Sequence, residues 1–322
     1  MSIPGASLPS ALSANILLAL AAAASWGGGD FSGGMGVKAA GSSTAGALRV
    51  VLIAHASSLA VLLAILFAQH APFPHGAPLA WGLLAGVTAG ISLTAFYVAL
   101  ARGAMGAPAA VSGLLAAAIP AAVSSVLEGV PAPLRLAGFA LALAAIWLIA
   151  AGPSPESTQA IDGSAPMTSS RTTMALAIVG GIGFGIYFVA LRLANPLGVM
   201  EPVALARFAS LSTCALLLLA VMLRTRRTHS TNPGAPSSAR VGGRLTRAAI
   251  LFALGVALLD TGGNLLFLAA TRAGRLDIAA VLASLYPAGT ILLAAWHLHE
   301  RPTRRQLTGM AIAAAAVVMI TL

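Results

Sequence analysis

The sequence predicts an all-α membrane protein, with ten transmembrane helices arranged as two inverted five-helix repeats. Three observations carry that prediction. The chain of 322 residues is 58% hydrophobic and only 8% charged, whereas globular domains carry about 25% charged residues. Its apolar runs are long and lack the polar–apolar alternation of a transmembrane barrel strand. The first half of the chain also recurs, in order, in the second.

A helix needs about 20 mainly apolar residues to cross a bilayer. On that measure the spans are 13–34, 44–68, 78–101, 107–127 and 133–152, then 173–194, 202–223, 248–271, 277–298 and 304–322. A mean hydropathy of +0.93 agrees. The N-terminal stretch 1–25 ends in AAAAS like a signal peptide, but it lacks a basic leader, and the repeat needs this segment as the counterpart of the sixth span. From Gly152 to Arg171 the chain is rich in Pro, Ser and Thr, as a polar linker is. The chain therefore divides into 1–152, a linker 153–172, and 173–322. A second polar stretch, Arg224 to Arg247, is too basic and too rich in helix breakers to cross a membrane.

The repeat is read from spacing. Trp26 and Arg49 lie 158 residues before Phe184 and Arg207. FYVALARGAMGAPAAV from Phe96 matches LFLAATRAGRLDIAAV from Leu266 at an offset of 170, with Arg102 over Arg272. Glu128 matches Glu300 at an offset of 172. The longer basic loop accounts for most of the change in offset. Five spans per copy is an odd number, so the second copy enters the membrane in the opposite sense. Secondary transporters built this way bind substrate near the midplane, between the repeats.

The order of motifs also resembles the drug/metabolite transporter superfamily, EamA branch. The residues concerned are Trp26-Gly27 in the first span, Arg49 in the second, Tyr286-Pro287 in a penultimate span, and Glu300 before a glycine-bearing last span. The chain departs from the pattern in the glycine-rich run after Trp26 and in Leu115, which stands where Pro287 sits in the other half. The resemblance covers both halves. It implies export or exchange of small metabolites, amino acids among them, by alternating access.

Charge sets the expected orientation. Thirteen Lys and Arg flank the odd-numbered loops and five lie on the side of the termini, so the positive-inside rule predicts termini outside. The net charge of +10 is read as orientation and not as nucleic-acid binding. Cys214, the lone cysteine, is read as a small buried thiol.

Ionisable groups within a span are costly and face a cavity or a partner. Asp30 and Asp260 qualify, and Asn264 shares a helix face with Asp260. Two readings stand: each acid pairs with an arginine or helix end, or it contacts substrate or a coupling proton. Arg49/Arg207, Arg102/Arg272 and Glu128/Glu300 occur in both halves near span ends, which suits snorkelling and capping. Asp30 aligns instead with Phe188, Asp260 with Gly90 and Asn264 with Thr94. A polar substrate needs asymmetry, so these three are the better substrate-binding candidates. Trp26 and Tyr97, followed by Tyr187, Tyr286 and Trp296, are candidates for stacking in the cavity or for anchoring at the interface. Gly27 to Gly29, Gly33 and Gly34 suit close helix packing or a loosened helix beside Asp30.

No catalytic or metal-binding constellation is present in the sequence; His297 and His299 adjoin Glu300 without a zinc motif. The expectation is a non-enzymatic secondary transporter of small polar metabolites such as amino acids, an exporter or exchanger, with no cofactor. Its partners are a small-molecule substrate, the lipid bilayer of a bacterial inner membrane and a candidate coupling proton; nucleic acid is not among them. A monomer or homodimer is expected. The alternatives are an intramembrane enzyme or lipid-modifying protein, and a channel.

Overall fold

The computed structural model describes residues 8–102, 106–150, 167–231, 245–298 and 303–321. Among these, every regular element is helical. The first half comprises α1 (Leu8–Ala39), α2 (Thr44–Ala68), α3 (Ala77–Ala101), α4 (Gly106–Leu127) and α5 (Pro133–Ala150). The second comprises α6 (Met167–Leu193), α7 (Met200–Thr231), α8 (Arg247–Ala273), α9 (Leu276–Ala283), α10 (Tyr286–His297) and α11 (Arg304–Thr321). A 3₁₀ turn, Asn195–Leu197, precedes α7.

Seven helical stretches among the described residues are long and apolar enough to cross a membrane: Thr44–Ala68, Ala77–Ala101, Ala107–Leu127, Arg171–Leu193, Met200–Thr225, Arg247–Ala273 and Leu276–His297. Pro133–Leu148 is a shorter apolar helix. The chain is a multi-pass membrane protein. Helices dominate because a bilayer offers no water to an unpaired backbone group.

Local chemistry sets several helix starts. Ser43 Oγ accepts from Gly46 N at 3.0 Å and caps α2, and Thr246 Oγ1 accepts from Ala249 N at 3.1 Å and caps α8. Before α11, Gln306 Oε1 accepts from Thr303 N at 2.8 Å while Thr303 Oγ1 accepts from Gln306 N at 3.2 Å, a reciprocal box.

Three expectations change. The expected continuous span 277–298 is broken at Ser284–Leu285, leaving α9 and α10. Pro287 accounts for the break, since it lacks an N–H to donate to the preceding turn and sits instead in the first turn of α10. The supposed loop Arg224–Arg247 begins as helix, because α7 runs on to Thr231; its residues 232–244 lie outside the described residues. The glycine run of α1 is not loosened: α1 is helical from Leu8 to Ala39. Of the linker 153–172, residues 153–166 lie outside the described residues, as do His299 and Glu300, while α6 already starts at Met167.

The glycines of α1 serve close approach. A Cβ on Gly27 would stand 2.9 Å from Gly289 Cα, and Thr290 Oγ1 donates to the Gly27 carbonyl at 3.2 Å. Across the bundle, α1 lies along α8 and packs on α9 and α10, while α3 lies along α6 and α4 packs on α6. Helix α2 packs on α7, and α5 on α11. The core is therefore built mainly from contacts between the two halves.

One end of the bundle, where α1 begins, is tied by a polar clasp. Asn15 Nδ2 donates to the Ala270 carbonyl at 2.8 Å. Arg275 donates to the carbonyls of Glu128 at 2.9 Å and Gly129 at 2.6 Å, and it pairs with Asp277 at 2.8 Å. Hydrogen bonding to Asp277 raises the Arg275 guanidinium above its ordinary pKa. Glu128 Oε2 accepts from Leu276 N at 3.1 Å, capping the broken helix from across the fold. Arg272 Nη1 donates to the Asn195 carbonyl at 2.7 Å. Glu128 and Arg272 thus act as capping residues, as their positions at helix ends imply.

Candidate functional site: a buried cavity between the halves

Near the middle of the bundle lies a small cavity with about 30 Å³ of internal space, room for a few waters at most. Its walls come from α1 (Trp26, Asp30), α3 (Ala89, Leu93), α6 (Phe184, Tyr187, Phe188), α7 (Arg207), α8 (Asp260, Asn264) and α10 (Tyr286). Six of the eight candidates from the sequence meet here: Trp26, Asp30, Tyr187, Asp260, Asn264 and Tyr286. Tyr97 is buried but does not line the cavity; its ring packs against Gly33, one turn beyond Asp30 on the same face of α1. Trp296 is 76% exposed on the outside of α10, so it is not a cavity residue.

The cavity is half aromatic. The Trp26 indole stacks on Phe188 with centroids 5.0 Å apart and an angle of 11° between planes. Phe267 closes the cluster, 5.5 Å from Trp26 and 4.6 Å from Phe188. Glycine makes this possible. A Cβ on Gly263 would stand 2.6 Å from the Trp26 indole.

The other half is ionic, and here sequence reasoning missed two residues. Arg207, taken as shared scaffold near a span end, is 1% exposed and faces the cavity. Its Nη2 donates to Asp260 Oδ2 at 2.6 Å and to Thr261 Oγ1 at 3.3 Å. The acid draws the guanidinium inward, because neither charge is tolerable alone in hydrocarbon. His55, on α2, was not considered. A guanidinium has only protons to offer, so the 3.0 Å contact from Arg207 Nη1 makes His55 Nε2 the acceptor. The proton then resides on His55 Nδ1, which donates to Ser210 Oγ at 2.7 Å. His55 is neutral in this arrangement, and its 3.8 Å approach to Asp260 is not an ion pair. A lone histidine within the span 44–68 was the available signal.

Several polar atoms around the cavity have no partner among the described residues. They are Arg207 Nε, Asn264 Oδ1 and the hydroxyls of Tyr97 and Tyr187. The Tyr286 hydroxyl lies near Ser112 Oγ without reaching hydrogen-bond geometry. Asn264 Nδ2 is engaged, donating to the Asp260 carbonyl at 2.7 Å. Asp30 is 7% exposed and makes no ion pair among the described residues, whereas Asp260 is paired with Arg207. Buried polar groups are ordinarily satisfied, and this cluster of exceptions makes the cavity the candidate site. No group of His, Cys, Asp and Glu among the described residues has the geometry to hold a metal ion.

A solved crystal structure, described only as that of a protein, is similar to this chain with a TM-score of 0.63. The likeness spans 96% of this chain and 98% of the other at 17% identity, and shows a shared fold. No curated protein matches the chain. Residues 171–322, the whole second half from the start of the α6 span, match the model of the EamA-like transporter family, the family that the order of motifs along the chain resembles.

Proposed function

We propose that the chain is a secondary transporter, an exporter or exchanger of small polar metabolites, working by alternating access between two inverted five-helix repeats, 1–152 and 173–322. The observation that carries this reading is the cavity itself: it lies within the bundle, is walled by both halves and holds the unpaired carboxylate of Asp30. Trp26, Asp30, Tyr187, Asp260, Asn264 and Tyr286 form its substrate site, with Arg207 added and Tyr97 supporting it from behind.

The helix pairings support the repeat. Exchanging the halves, so that α1 takes the place of α6 and α8 that of α3, turns the α1–α8 pair into the α6–α3 pair. The α2–α7 and α5–α11 pairs map onto themselves, and the packing of α1 on α9 and α10 maps onto that of α6 on α4. Two alternative packings of such similar halves lie close in energy, as rocking between outward and inward states requires. The cavity is too small for a metabolite, so its walls must part to admit one and close behind it.

Counterflow tests the reading. Proteoliposomes are loaded with a defined mixture of amino acids, amines and small carboxylates, then diluted into traces of each labelled component. A carrier accumulates at least one of them transiently and saturably. Linear, non-saturating leak of every component contradicts the proposal and favours a channel.

A further inference from the structure

We infer that the cavity selects a small organic monocation bearing a neutral hydrogen-bond acceptor, as in an amino alcohol, over the zwitterion of the same size. The inference rests on the reading of this cavity as the substrate site.

Two carboxylates face the cavity, Asp30 and Asp260, against one guanidinium, Arg207. Arg207 is committed to Asp260 at 2.6 Å, and His55 is neutral because it accepts from Arg207. When Asp30 is ionised, one negative charge is left over in this small cavity within an apolar bundle. A lone charge in such surroundings is strongly unfavourable unless a proton neutralises it or a counter-charge joins it. A monocation brings the count to zero. A zwitterion leaves it at minus one and places its own carboxylate among two others, with one shared guanidinium to answer all three.

The free groups point the same way. Asp30 and Asn264 Oδ1 offer acceptors for an ammonium or its polarised C–H groups. Trp26, Phe184, Tyr187, Phe188 and Tyr286 surround them with rings, whose faces attract cations. The unmet donors are Arg207 Nε and the hydroxyls of Tyr187 and Tyr286; with the other side of the guanidinium neutralised by Asp260, they suit a hydroxyl or carbonyl oxygen.

The test uses matched pairs on the full-length protein in nanodiscs: choline against glycine betaine, and ethanolamine against glycine. Half-saturating concentrations come from ligand-induced thermal stabilisation. In at least one pair the cation is expected to act at a concentration tenfold or more below that of its zwitterion, with neither pair reversed. Asp30→Asn is expected to abolish that difference. As a control that needs no variant, 3,3-dimethylbutan-1-ol, the uncharged isostere of choline, is expected to stabilise no better than glycine betaine. Equal potency in both pairs, a zwitterion preferred in either, no stabilisation by any of the four, or unchanged discrimination in Asp30→Asn overturns the inference. Counterflow separates the two levels: saturable exchange of some other component leaves the carrier standing while the cation preference falls.

Discussion

Arg207 on α7 and Asp260 on α8 meet at 2.6 Å in the interior of the bundle, and this contact joins the polar half of the cavity to the helices that pack against it. Removing one partner of a buried pair leaves the other charge uncompensated, at a cost of about 3–5 kcal/mol, whereas replacing both by apolar residues is close to neutral. Arg207→Ala is therefore expected to lower the melting temperature sharply. The double variant Arg207→Met with Asp260→Leu should recover most of that loss, while abolishing exchange. Intrinsic fluorescence during heating checks it; a double variant no more stable than Arg207→Ala would refute the pairing as the reason.

Gly263 and Gly262 differ in what a methyl group would meet. A Cβ on Gly263 runs into the Trp26 indole, but one on Gly262 meets nothing within 4 Å. Gly263→Ala is expected to destabilise by about 1–3 kcal/mol through overpacking and to impair exchange by tilting Trp26. Gly262→Ala should gain up to about 1 kcal/mol from helix propensity. Matched melting curves and counterflow rates decide between them.

Arg275 holds the carbonyls of Glu128 and Gly129, and so fastens α4 to the start of α9 at the end of the bundle where α1 begins. Arg275→Ala is expected to favour opening at that end. With Cys214→Ala as background and a reporter at Ala89→Cys in the cavity wall, labelling by an impermeant maleimide should rise severalfold from that side. Unchanged labelling from both sides would show that the clasp does not gate.

Orientation follows from charge. Thr44 and His75 are exposed at opposite ends of the bundle. A cysteine at Thr44, on the arginine-rich side, should be labelled only from the cytoplasm, and one at His75 only from outside. The reverse pattern would overturn the expected placement of the termini.

How much of this was legible beforehand varied with the physics behind each feature. Seven of the ten spans were plain because the bilayer demands long apolar runs, and Tyr286-Pro287 marked the second half without revealing that its helix breaks there. Asp30 and Asp260 stood out as charges inside apolar runs. Arg207 did not, because its match with Arg49 and its place seven residues into α7 both suggested a span end. Only the three-dimensional pairing with Asp260 brings it inward. Tyr97, read as a ring of the cavity or of the interface, lies behind the cavity wall, since the absence of a side chain at Gly33 lets its ring pack against α1. His55 was passed over because a histidine alone among apolar residues carries no motif. Its role depends on Ser210 and Arg207, more than 150 residues away.

The most direct measurement of the central claim is accessibility of the cavity from both sides of the membrane. Ala89→Cys in the Cys214→Ala background, shown first to retain counterflow, is exposed to impermeant maleimide in vesicles of each orientation. The account predicts labelling from either side, protection by saturating substrate, and no ionic conductance across the same membranes. Labelling from one side only, or a steady conductance, would contradict alternating access around this cavity.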